Sequence, residues 1–133
     1  MGKAKRRKDD ELCPCGSGLE YENCCRRWHE SLAAPDALAL MKSRYSAFVK
    51  KREDYLLATW HRSTCPKDAA LIHDSVKWLG LEVQSFQDSE HEAWVSFKAR
   101  GKDNGRFFTM SEKSHFVKED GRWYYLDGEV DIE

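Results

Sequence analysis

The chain has 133 residues, 41% of them apolar and 12% aromatic, enough for one domain with a real core plus a small appendage and too few for two ordinary domains. Net charge is −1, but residues 2–8, "GKAKRRK", hold five positive charges, so the remainder is mildly acidic and any basic surface is local. No stretch approaches the roughly 18 consecutive apolar residues of a membrane helix, and no apolar segment follows the basic start, which excludes an ordinary secretory signal; a cytoplasmic protein with reduced thiols is expected.

Residues 1–12 read as a basic disordered tail in which Lys5, Arg6 and Arg7 supply electrostatic attraction to a partner. Residues 13–28 follow as a separate small unit. "CPCGSGLEYENCC" puts four of the five cysteines into thirteen positions, one pair separated by Pro14 and the other adjacent. Thiolates from Cys13, Cys15, Cys24 and Cys25 can converge from two sides of a tight loop on a tetrahedral ion, with metal–sulfur distances of about 2.3 Å. Gly16 and Gly18 permit the positive φ angles of the reversal. Two alternatives stand beside the metal: a disulfide framework, which a reducing compartment disfavours, and a redox or nucleophilic cysteine, which calls for a CxxC helix start or a histidine partner. A unit this short cannot fold by burial alone, so a metal would supply most of its folding energy.

The run CPCGSG, followed by Tyr21 and the Cys24-Cys25 pair, closely resembles the SEC-C motif, known from the C-terminus of the bacterial SecA motor. The resemblance implies zinc on the four cysteines and contact with another protein or the ribosome. SecA-type loops are usually lysine-rich, whereas this one has Leu19, Glu20 and Glu22; Arg26, Arg27 and the basic tail flank it instead. Tyr21 and Trp28 are the aromatics suited to contact or packing. Contact with RNA, as by a zinc knuckle, is an intermediate possibility, distinguished by steep salt dependence.

Residues 29–133 carry the larger domain. From Asp36, a plausible N-cap after Pro35, the spacing of Leu38, Met41, Tyr45 and Phe48 predicts a helix. "KKRED" at 50–54 marks a break, and Tyr55, Leu56 and Trp60 predict a second helix. A third, weaker helical stretch is expected over 67–78. After Gly80 the pattern changes to alternating aromatic and β-branched runs separated by "DSEH", "KDN" and "EDG", which predicts four antiparallel strands between about Leu79 and Val130. The expected class is α+β, three helices packed on one face of a curved antiparallel sheet.

The order of "SRYSAF", "DYLLATWH", "WLGLEV", "VSFKARG", "SEKSHF" and "DGRWYYLDG" along the chain looks like the bacterial YchJ-type family, from Cys13 to Gly128. That resemblance implies a SEC-C motif joined to a domain similar to nuclear transport factor 2, a cone of curved sheet closed by three helices. Domains of this type often pair through their sheets, so a homodimer is an expected possibility.

Within such a cone, alternation on the third strand turns Phe108, Met110, Glu112, Ser114 and Phe116 inward and Thr109, Ser111, Lys113, His115 and Val117 outward. Glu112 then sits among apolar neighbours, and Arg44 beside Tyr45 is the expected ion-pair partner. The functional alternative makes Arg44, Tyr45, His61, Glu112 and Ser114 the polar lining of a ligand pocket. His29, His73 and His91 read as surface residues, and His61 as capping a helix end. No Asp/His constellation at diagnostic spacing supports catalysis. Two functions remain: a zinc-containing interaction protein whose cone is a platform, and a small-molecule protein or enzyme whose zinc motif only localises it. A pocket of a few hundred Å³ that opens to solvent and holds Glu112 without Arg44 paired to it would favour the second.

Overall fold

The computed structural model describes residues 12–67 and 70–133. Its three helices are α1 (Cys25–Ser31), α2 (Ala37–Lys50) and α3 (Glu53–Ala58); its four strands are β1 (Val76–Asp88), β2 (Glu92–Asp103), β3 (Arg106–Glu119) and β4 (Arg122–Ile132). Lys5, Arg6 and Arg7 lie outside the described residues.

The start of α2 follows from Asp36, whose carboxylate accepts a hydrogen bond from the Ala39 amide at 2.7 Å. Its end follows from Lys51, which adopts a left-handed backbone conformation with φ of 62° and closes the helix onto the Ala47 carbonyl. Leu40, Met41, Tyr45 and Ala47 bury against the sheet, and Tyr55 and Leu56 of α3 complete that layer.

The four strands form an antiparallel meander in the order β1-β2-β3-β4. Two of the three turns are two-residue loops, Asn104-Gly105 and Asp120-Gly121, with positive φ at both positions. That is the type I′ geometry whose twist matches the strands, and it explains why these dipeptides stand there. Inward-facing Ala93, Val95, Phe97 and Ala99 of β2 are all buried, giving the helices their apolar floor.

The fold class is the expected one, but its third helix is not the segment expected. No helix forms in the described part of 67–78: residues 70–75 have no helical structure and Val76–Trp78 already belong to β1, where Trp78 pairs with Gly101. Leu71, Ile72 and Trp78 have the spacing of a helix face, but β2 offers an open edge from Gly101 onward and pairing takes Val76 to Trp78 into the sheet. The third helix is instead α1, which begins at a cysteine of the metal motif.

Candidate metal centre and cone cavity

Cys13, Cys15, Cys24 and Cys25 are all buried, and their four sulfurs lie within 4.8 Å of one another. The loop that gathers them is pinned by a Leu12–Glu20 bridge, by the Cys13 amide donating to the Leu19 carbonyl at 2.8 Å, and by Gly16 and Gly18, both at φ 87°. An ordinary residue is strained at either glycine. A single turn of 3-10 helix, Tyr21–Asn23, then delivers Cys24 and opens α1 at Cys25.

The donor set fits a metal. Sγ of Cys15 and Cys24 are 3.7 Å apart, close to the edge of about 3.8 Å of a tetrahedron with metal–sulfur bonds of about 2.3 Å. It is far beyond the bond of about 2.05 Å of a disulfide, and all five cysteines are free. Hydrogen bonds from the Cys15 and Cys25 thiols hold Cys13 far below the usual thiol range, while Cys15 is pushed up to about 11 and Cys25 higher still, each chiefly by its hydrogen bond to Cys13. Four thiolates together require a cation between them.

The motif is not a handle standing apart from the cone, as its separate reading in sequence suggests; it is seated on α2. Sγ of Cys13 lies 3.4 Å from the Ser46 hydroxyl. His29 of α1, expected at the surface, is buried: its Nε2 donates to the Ser43 carbonyl at 2.8 Å, and its Nδ1 lies 2.6 Å from the Tyr21 hydroxyl. A carbonyl only accepts, so the proton sits on Nε2 and neutral Nδ1 accepts from Tyr21. Burial holds His29 below the ordinary histidine range. Tyr21, with the Lys50 ammonium 4.5 Å from its ring centre, is therefore a packing residue and is closed to a partner. Trp28 is half-buried under the Arg27 guanidinium, Arg27 also donates to the Cys24 carbonyl, and Arg26 pairs with Glu30 at 2.8 Å on the surface.

Under the helices the concave face of the sheet encloses a cavity of about 220 Å³, lined by Arg44, Tyr45, Glu112 and Ser114 among others. The inward set of β3 is as alternation predicts from Met110 to Phe116. The expected Arg44–Glu112 ion pair does not form. Arg44, buried at 6% exposure, donates from Nη1 to the Leu56 carbonyl at 2.9 Å and to Thr59 Oγ1 at 2.7 Å. Its guanidinium carbon stands 4.5 Å from the ring centre of Tyr125. Burial lowers its pKa to about 10, so it remains a cation at neutral pH. Glu112 accepts at Oε2 from Ser114 at 2.9 Å and from the Tyr125 hydroxyl at 2.7 Å.

The hairpin register turns Tyr125 inward opposite Phe116, and a bulge in β4 decides which residue follows it onto the inner face. Phe116 pairs with Tyr125 and His115 with Asp127, so Leu126 is an extra residue. Without it Asp127 would fall opposite Ser114, on the inner face; with it Gly128 takes that place. A Cβ on Gly128 would collide with the Glu112 carboxylate, which explains the glycine.

His61 is not in the cavity. Its Nε2 bonds Glu119 at 2.7 Å and its Nδ1 lies 2.8 Å from Ser63, beside β4. Helix α3 stops at Ala58, and Trp60 pairs in parallel with Tyr125, placing the Trp60 ring edge-on to Tyr125 at 5.0 Å. Trp60, Tyr125 and Gly128 are the site residues that sequence reasoning missed. The dipeptide "DG" at 127–128 inside a strand was the one available signal.

Comparison with known proteins agrees with this geometry. Residues 36–128 match the model of the YchJ middle NTF2-like domain, and residues 11–27 match the SEC-C motif, a metal-binding motif. A UPF0225 protein of Bordetella pertussis is 49% identical over 122 residues, covering 89% of this chain and 92% of the relative. One of Methylibium petroleiphilum is 49% identical over 121 residues, covering 90% and 88%. Among solved structures, a SEC-C motif containing protein of Rhodopseudomonas palustris superposes with a TM-score of 0.76 at 30% identity, over 88% of this chain and 96% of that one. Another, of Psychrobacter arcticus, gives 0.75 at 28% identity, over 94% and 85%. The cysteine cluster, the cone and the extent of these matches together make this chain a member of the YchJ-like family of UPF0225 proteins, a SEC-C motif joined to an NTF2-like domain.

Proposed function

We propose that this is a zinc-anchored docking protein, in which Cys13, Cys15, Cys24 and Cys25 hold one zinc ion and the motif so fixed contacts a protein or ribosomal surface in the cytoplasm. The observation that carries the reading is the closed shell of four buried sulfurs. Such a shell has no open position for substrate, so the ion's work is to hold a surface in shape. That surface includes Leu12 and Leu19, 56% and 51% exposed on the loop that the Leu12–Glu20 bridge closes, and α1 presents the Arg26 and Arg27 side chains. Exposed apolar side chains beside cations suit a partner. Reduced thiolate ligands suit the cytoplasm.

The test is affinity capture of cellular partners with the wild-type chain, with a Cys24→Ser, Cys25→Ser variant, and with a Leu12→Asp, Leu19→Asp variant that keeps every metal ligand. A specific partner lost in both variants, with zinc retained in the second, supports the reading. Capture unchanged by the leucine substitutions overturns it. Loss of the captured material on nuclease treatment assigns the contact to RNA instead.

A second reading has its own observation: the cavity holds Glu112 without Arg44 paired to it. In this reading the cone holds a small molecule and the zinc motif localises it.

A further inference from the structure

We propose that the cone cavity binds a small α-amino acid with an apolar side chain, its carboxylate on Arg44 and its ammonium group on Glu112. This rests on the second reading above and names the chemistry of its ligand.

Three polar groups in the wall keep hydrogen-bonding capacity that their contacts among the described residues do not use. Both hydrogen bonds of Arg44 leave from Nη1, so Nε and Nη2 have no acceptor. The indole nitrogen of Trp60 is buried and has no partner. Both bonds to Glu112 end on Oε2, leaving Oε1 without a donor. A buried indole N–H without an acceptor is costly, and a carboxylate in the cavity would suit the remaining Nε and Nη2 fork of Arg44 in the bidentate geometry that guanidinium favours. Oε1 of Glu112 in turn asks for a cationic donor.

The charges also choose the ligand. Arg44 and Glu112 together contribute no net charge, so a lone anion or cation would leave one of them unmatched, and a zwitterion matches both. Tyr125 sets the spacing: its ring face lies against Arg44 and its hydroxyl on Glu112, which keeps the pair from closing on itself. The remaining wall is apolar, with Met41, Phe48, Trp78 and Met110 facing the space an aliphatic side chain would fill. At about 220 Å³ the cavity falls below the roughly 300–1,000 Å³ of drug-sized sites, so the ligand is small.

The experiment uses the full zinc-loaded chain, labelled with nitrogen-15, and follows the indole N–H signal of Trp60, assigned with Trp60→Phe. Leucine, methionine and phenylalanine are titrated at millimolar concentration beside 4-methylpentanoate and 3-methylbutylamine, which each carry one of leucine's two charges. The expected result is a shift of the Trp60 indole with at least one amino acid, with both single-charge analogues about tenfold or more weaker. Glu112→Gln should weaken the amino acid and leave 4-methylpentanoate binding as tightly as in the wild type or more tightly, since the opposing negative charge is gone. If 4-methylpentanoate binds as tightly as leucine, the amino-acid assignment falls while the ligand-binding cone stands. If no compound moves the Trp60 signal, both fall.

Discussion

The Tyr125 hydroxyl donates to Oε2 of Glu112 at 2.7 Å, and the same ring lies face-on to Arg44. One side chain therefore serves both the buried Arg44 and the half-buried Glu112 and stands between them. Burial, reinforced by the Glu112 carboxylate, pushes the Tyr125 hydroxyl well above the ordinary tyrosine range, so it remains a donor throughout neutral pH. Tyr125→Phe keeps the ring and removes the donor. It should cost about 1–2 kcal/mol, since Glu112 loses one of two partners. Urea unfolding should show a lower midpoint at unchanged slope; an unshifted midpoint would show that the bond contributes nothing.

Gly128→Ala tests the same cluster from the other side. The added methyl group would overlap the Glu112 carboxylate and crowd the Tyr125 hydroxyl, 3.0 Å from the new carbon. A loss of about 1–3 kcal/mol is expected, as for other overpacked interiors. Combining it with Glu112→Ala should recover part of that loss, because the two changes share one contact.

Metal removal should reach further than the loop. Sγ of Cys13 lies beside Ser46, and His29 reaches the Ser43 carbonyl, so the motif and α2 are packed as one unit. Apparent metal-binding energies of small thiolate modules are about 10 kcal/mol or more, much of it folding energy. Chelation, or Cys24→Ser with Cys25→Ser, should lower the melting temperature of the whole chain, and metal analysis should find one zinc per wild-type chain. A melting transition indifferent to chelator would contradict this seating.

His29 predicts a pH dependence with a definite sign. Its folded-state pKa is lowered by burial, so the folded protein favours neutral imidazole and the unfolded chain takes up the proton first. The contribution is fully present above the unfolded value of about 6.5 and is lost as pH falls through the lower folded value. Unfolding free energy, measured from about pH 7.5 down to about 5.5, should fall more in the wild type than in His29→Gln. Parallel curves for the two proteins would remove His29 as the cause.

Much of this structure was legible in the sequence because the signals were local. Asn104-Gly105 and Asp120-Gly121 fix two turns, Asp36 fixes a helix start, and the cysteine spacing identifies the metal cluster. The failures were tertiary. The periodicity of Leu71, Ile72 and Trp78 suits a helix, and only the open edge of β2 takes Val76–Trp78 into a strand. His29 looks like a surface residue until Tyr21 and Ser43 close over it. Arg44 and Glu112 were rightly placed around one interior, but the glycine that makes room for the Glu112 carboxylate reaches its position through a bulge at Leu126 that no periodicity reveals.

Helix α2 touches the cysteine cluster through Ser46 and the cavity through Arg44, Tyr45 and Phe48, positions within one turn of each other. Two occupants sharing a single rigid element are thermodynamically linked, and the linkage is reciprocal. Whatever fills the cone should tighten the hold on zinc at equilibrium, and an empty cysteine site should weaken binding in the cone by the same factor. In a cell short of zinc, then, both ends of the molecule would fall silent together.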